Sequence, residues 1–227
     1  MPYSSISEFL NPKTYLTVVL IILLFICGTI LLINALRKEQ AERRILICYG
    51  IFEVLYAFTR IFFLFSDYYI AINFGFETRI HLFYVTLAYS ITTASLILIF
   101  YVLEKYLVHT KFIFMGISTT IFIFSVLSVF EIISQRISQM IIYIFSPILV
   151  LCILCLYLYV IRSTEGSIRQ KATGVFLGIL FLTIGIILDV RFVEFLVSGP
   201  INQIRLALAP SFMILGILIF TWSQLRE

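Results

Sequence analysis

The chain has 227 residues, of which 62% are hydrophobic and 12% charged, and its mean hydropathy is +1.11. A soluble domain is about half apolar and about a quarter charged, so this composition excludes one and points to a polytopic integral membrane protein. The net charge of +4 rests on only 16 Lys and Arg and gives no basis for nucleic-acid binding.

The N-terminal stretch MPYSSISEFLNPKT is polar without being basic. It lacks the n-region of a cleaved signal peptide, and the apolar run behind it is longer than an h-region, so that run is expected to be a true span. A spanning helix needs ~20 mostly apolar residues, at ~1.5 Å rise across a core of ~30 Å. Seven segments satisfy this: 15–36, 45–66, 80–103, 112–133, 138–161, 172–196 and 203–225. The expected fold is therefore all-α, with residues 1–227 forming one integral membrane bundle of seven transmembrane helices, multi-pass in the cell membrane. Short connections make consecutive helices antiparallel neighbours.

The second span carries the stretch EVLYAFTRIFFLFSD, with Glu53, Arg60 and Asp67 at intervals of seven. At about 100° per residue, Tyr49, Glu53, Tyr56, Arg60 and Asp67 fall within about 60° of one another. They form one polar stripe on an apolar cylinder. A charge at depth costs ~2.5–3.5 kcal/mol on the insertion scale and normally faces the bundle or a wet cavity, so the stripe should point inward. Two plainer readings compete with a functional cavity. Arg60 can snorkel outward to Asp67, and Glu53 can be held neutral or hydrogen-bonded by a nearby Tyr or Thr.

The third span has an arc of Arg79, Thr86, Tyr89, Ser90, Thr93 and Glu104 over about 100° of its wheel, which also turns it inward, with Tyr89 near mid-depth. The fifth contains Pro147 and the pair Cys152 and Cys155, and the seventh contains Pro210. Each proline can kink its helix. The two histidines, His81 and His109, fall at opposite membrane faces and give the cysteines no matching ligand, so no metal site is expected.

The sixth span, GVFLGILFLTIGIILDVRFVE, sets Gly174, Gly178 and Gly185 on one face, and Asp189 nearly shares it. Small-xxx-small spacing permits close helix packing. A charge is unsuited to lipid, so this face should pack inside the bundle rather than form a dimer seam. Arg60 lies sixteen residues beyond Arg44, and Asp189 lies eighteen beyond Lys171. Their depths match, and an ion pair, or a shared pocket, is expected between them. The outer half is the richer in polar groups: Asp67, Glu77, Arg79, His81, Glu131, Arg136, Asp189, Arg191, Glu194 and Arg205.

Orientation follows from Lys and Arg. One set of helix ends carries ten: Arg37, Lys38, Arg43, Arg44, Lys105, Lys111, Arg162, Arg169, Lys171 and Arg226. The other carries four: Lys13, Arg79, Arg136 and Arg205. The positive-inside rule then predicts the N-terminus outside and the C-terminus in the cytoplasm.

Seven spans, an external N-terminus and minimal loops resemble the microbial rhodopsins in size and topology only. The last span, IRLALAPSFMILGILIFTWSQL, lacks the lysine that holds retinal, so no retinal cofactor is implied. The phrases YVLEKYLVHTK and IRSTEGSIRQKATGVFLG look like those of uncharacterised seven-helix archaeal-type membrane proteins. Some of these resemble input domains of membrane sensor kinases. The resemblance assigns no residue a role.

No HExxH, P-loop, GxSxG or intramembrane aspartate pair occurs, so neither an enzyme nor a cofactor is expected. The expected function is a receptor-like or sensory module. Its cluster of Glu53, Tyr56, Arg60, Asp67, Tyr89 and Asp189 would line an outward-facing cavity for a small anionic ligand or a proton. A cytoplasmic or membrane protein partner would dock on the basic loops 37–44, 104–111 and 162–171. The alternatives are a small-solute or proton-coupled transporter and a structural or assembly subunit of a membrane complex.

Overall fold

The computed structural model describes residues 12–76, 78–108, 110–189 and 200–226, and the side chains from 204 onward in the last of these segments. The described chain is helical, without strands among the described residues. The helices are α1 (Pro12–Ala35), α2 (Gln40–Phe74), α3 (Arg79–Leu107), α4 (Ile113–Val129), α5 (Gln135–Ser163), α6 (Gly166–Asp189) and α7 (Pro200–Leu225). Six are long and apolar enough to cross a membrane, and α4 is apolar but has only 17 residues. At ~1.5 Å per residue it measures about 25 Å, somewhat less than a bilayer core. The sequence places this span at 112–133, but the chain leaves the helix earlier, turning through Glu131 with a φ of 60°. The sixth expected span runs on to residue 196, and its part beyond Asp189 lies outside the described residues, as do Glu77, His109, Arg191 and Glu194.

Consecutive helices pack side by side, and α7 returns against α1 to close the ring, with α3 also touching α5. Two seams are unusually close. At the first, α1 meets α2 through Gly28 and Gly50: a Cβ on either would stand 2.9 Å from the other's carbonyl oxygen. At the second, α6 meets α7, where a Cβ on Gly178 would stand 2.8 Å from the Gly216 oxygen and one on Gly185 2.7 Å from the Ala209 oxygen. The glycine face of α6 thus packs on α7 within the bundle, as its charge content demands.

The interior has two layers. Around Tyr49, Phe52, Phe100, Leu103, Ile153, Tyr157 and Phe220 lies one extended core. Leu20, Leu24, Ala57, Leu182, Met213 and Ile217 form a second, between α1, α2, α6 and α7. The outer surface is apolar too, with Ile22, Ile148, Leu151 and Ile187 each half or more exposed, as lipid-facing positions are.

Two helices contain π turns near their ends, Phe65–Ile70 in α2, followed by one more α-helical turn, and Leu103–Leu107 at the end of α3. A π turn spreads more residues over each turn than an α-helix, so side chains beyond it lag behind the 100° wheel. Each π turn contains an acidic residue, Asp67 and Glu104, and re-aims it.

Candidate functional site

Arg60 is buried in α2, with four residues between it and the π turn, and its guanidinium has two partners. Nη1 donates to Asp189 Oδ2 of α6 at 3.0 Å, while Nε and Nη2 donate to the Tyr56 hydroxyl at 3.2 and 2.6 Å. Tyr56 sits one turn earlier on the same stripe, and its ring lies 5.1 Å from the guanidinium carbon. The expected pairing of Arg60 with Asp189 is therefore present. Sequence reasoning assigned Lys13 only to the helix ends, yet its Nζ lies 2.7 Å from Asp189 Oδ1. Two cations from α1 and α2 thus share one carboxylate from α6. Lys13 and Asp189 each keep about a quarter of their side-chain surface exposed, against 10% for Arg60. The available signal was position: Lys13 directly precedes the first span and Asp189 lies in the half of the sixth span nearest that same end of the bundle.

Asp67 does not join Arg60. The π turn carries its carboxylate toward α3, where Oδ1 lies 3.7 Å from His81 Nε2. His81 is buried beside the Phe76 ring, 5.5 Å away. The wheel that aligned Asp67 with Arg60 assumed an unbroken α-helix. Tyr89 also departs from the expected cluster. Its hydroxyl donates to Tyr143 of α5 at 3.0 Å, and its ring meets Phe63 edge-on. It faces the α3–α5 side, whereas Arg60 faces α6 and α7. Arg205 of α7 closes the same end of the bundle, donating from Nη1 to the Leu188 carbonyl at 2.6 Å.

Glu53 lies deeper, seven residues or ~10 Å along α2 from Arg60, and is fully buried. Thr221 of α7 is its partner, with Oγ1 2.7 Å from Glu53 Oε1 and 2.8 Å from the Ile217 carbonyl oxygen. One hydroxyl proton cannot serve both acceptors. Both contacts are satisfied together when the Glu53 carboxyl itself donates to Thr221 Oγ1 and the hydroxyl donates onward to Ile217. Oε2 has no hydrogen-bond partner among the described residues. One turn nearer the other end, the Tyr49 and Tyr157 hydroxyls meet at 2.6 Å, joining α2 to α5. Tyr49, Glu53, Tyr56 and Arg60 of the stripe point inward, but the stripe serves separate neighbours: α5 at Tyr49, α7 at Glu53, α6 at Arg60 and, beyond the π turn, α3 at Asp67.

The remaining ionic contacts sit at the helix ends. Lys171 of α6 lies 2.6 Å from Glu42 of α2. Arg79 grips Glu131 with both Nε, at 2.6 Å, and Nη2. Those hydrogen bonds hold the Glu131 carboxyl below its ordinary range. Glu104, buried in the second π turn, accepts from the backbone N–H groups of Phe114 and Met115 at 3.0 and 2.9 Å. It caps α4, whose own preceding residue, Phe112, provides no side-chain cap.

Two clefts open away from the charge cluster. One, of about 470 Å³, is apolar and is lined by Phe114, Leu151, Cys152 and Cys155 among others. The other, of about 200 Å³, lies between α6 and α7 at the Lys171 end. Comparison of the chain with protein-family models, curated proteins and solved structures finds no match.

Proposed function

We propose that the protein is a receptor-like or sensory module of seven transmembrane helices, with its Lys13 end outside the cell and its Lys171 end in the cytoplasm. Its ligand is a small anion that reaches the outer charge cluster, and its signal passes to a separate protein partner. The observation that carries this reading is the convergence of Lys13 and Arg60 on the single carboxylate of Asp189. A carboxylate or phosphate arriving beside Lys13 competes with Asp189 for the same donors, and the planar fork of Arg60 suits it. Such a ligand binds only where Asp189 lets go, so it favours an arrangement in which α6 is untied from α1 and α2. At its far end α6 carries Lys171 and continues the basic segment 162–171 that joins it to α5, where a partner would sense that shift.

Beneath Arg60 the layer of Leu20, Leu24, Ala57, Leu182, Met213 and Ile217 separates the cluster from Glu53. Access to the cluster from the Lys13 side alone is what the receptor reading requires and a transporter does not allow. The alternative, a proton-coupled transporter, draws its support from Glu53, a buried carboxyl halfway across whose Oε2 has no hydrogen-bond partner among the described residues.

Labelling decides between them. In a background with Cys27, Cys48, Cys152 and Cys155 replaced by Ala, a membrane-impermeant maleimide is applied to each side of sealed vesicles. The receptor reading expects Asp67→Cys to react from outside, and Glu53→Cys and Thr221→Cys from neither side. Reaction of either deep position from both sides establishes transport instead. Acetate and inorganic phosphate provide the ligand arm: each should raise the melting temperature of the parent protein and leave Lys13→Gln unmoved. If neither anion acts and neutralising these charges alters folding alone, the protein is a structural subunit.

A further inference from the structure

The cleft between α6 and α7 at the Lys171 end has a polar mouth and an apolar floor. Ser167 and Gln170 on α6, with Trp222 on α7 and Arg226 just past its end, edge the mouth. Leu177 and Ile219 line the floor, with Leu177 seven residues, or ~10 Å, deeper than Gln170. Gly174 lies between these levels, and a side chain there would run into Ser223. Lys171 forms part of the wall and is held in place by Glu42. The Arg226 side chain is exposed and has no hydrogen-bond or ion-pair partner among the described residues. Trp222 is 69% exposed one turn before it, an amphipathic ring at a helix end, where tryptophan marks the membrane interface.

We propose that this cleft binds an anionic phospholipid. Its phosphate sits against Arg226 with Ser167 and Gln170 as further donors, and the start of an acyl chain covers Leu177 and Ile219. The gradient from charge through Trp222 to aliphatic floor runs in the same sense as that of a lipid. A free phosphate satisfies the mouth and leaves the floor uncovered, so the lipid is the better occupant. The proposal requires only that α6 and α7 cross the bilayer, and it is independent of the sensory reading of the Lys13 end.

Trp222 is the only tryptophan in the chain and therefore reports on this cleft alone. The full chain is reconstituted in phosphatidylcholine vesicles containing a minor fraction of phosphatidylglycerol, with bromine on the acyl chains of one lipid or the other. At equal mole fraction, brominated phosphatidylglycerol should quench Trp222 with a roughly five-fold binding preference over brominated phosphatidylcholine, the scale set by one basic residue at an anionic interface. Arg226→Gln should abolish most of that preference and Arg226→Lys should retain it, with the emission maximum in pure phosphatidylcholine verifying that each variant is folded. Equal quenching by the two lipids, or a preference that survives Arg226→Gln, overturns the site. Displacement of the brominated lipid by inorganic phosphate or glycerol phosphate overturns the lipid assignment in favour of a soluble anion.

Discussion

At the residue scale, the decisive group is Arg60. Removing one member of a buried ion pair leaves the other uncompensated and costs ~3–5 kcal/mol. Arg60→Gln is therefore expected to lower stability by about that much in detergent unfolding, while Lys13→Gln, at a more exposed position, costs less. A charge swap between positions 60 and 189 sets an arginine at 189 against Lys13. It should recover stability only when Lys13→Gln is added, and recovery without that third change argues against the Lys13 contact. Glu53→Gln should stay within ~1 kcal/mol of the parent, because the amide keeps both an acceptor and a donor for the Thr221 hydroxyl. A larger loss indicates that the ionised carboxylate is structural. The Arg79–Glu131 pair gives a pH signature. Since the Glu131 carboxyl is held low in the folded protein, its contribution is present above the unfolded carboxylate range and is lost as pH falls through the lowered folded value. The difference in melting temperature between the parent and Glu131→Gln should be visible at neutral pH and vanish in acid. At this scale Arg60 and Asp189 were legible in the sequence, because a charge in an apolar run has few permitted directions. It hid the role of Lys13, because a basic residue at a helix end is unremarkable until its neighbour is known.

Among the elements, glycine governs the α6–α7 seam. Gly216→Ala would bring a Cβ within 2.7 Å of the Gly178 oxygen and 2.8 Å of the Leu182 nitrogen, both backbone atoms that cannot turn aside. Such overpacking is expected to cost ~1–3 kcal/mol. Gly116 in α4 has nothing within 4 Å of a built Cβ, so Gly116→Ala should instead stabilise by up to ~1 kcal/mol through helix propensity. Measuring both by thermal unfolding separates close approach from backbone entropy, and equal effects would contradict the packing described. The small-residue face of α6 was legible from its spacing. The two π turns were not, because no local propensity announces them. Missing the first of them misdirected Asp67, and the second turns Glu104 from a member of the α3 arc into the cap of α4.

For the molecule as a whole, the ten-to-four distribution of Lys and Arg between the two ends predicts the orientation. A fluorescent protein fused after residue 227 should fluoresce, as one folded in the cytoplasm does, and a reporter active only outside should be silent at that position. The reverse result inverts the proposed receptor face as well. Hydropathy alone determined that the chain is helical and apolar on its outside, because a bilayer leaves the backbone no other way to satisfy its hydrogen bonds in a single segment. Depth too was set by the sequence, since each residue advances a helix by a fixed rise and charges count off their own level. Apart from the Arg60–Asp189 pair, which helix each polar group meets was decided only in three dimensions. The return of α7 onto α1, the glycine seams and the π turns fix the rotation of each helix about its axis, and a period of 3.6 residues carries no information about what stands opposite.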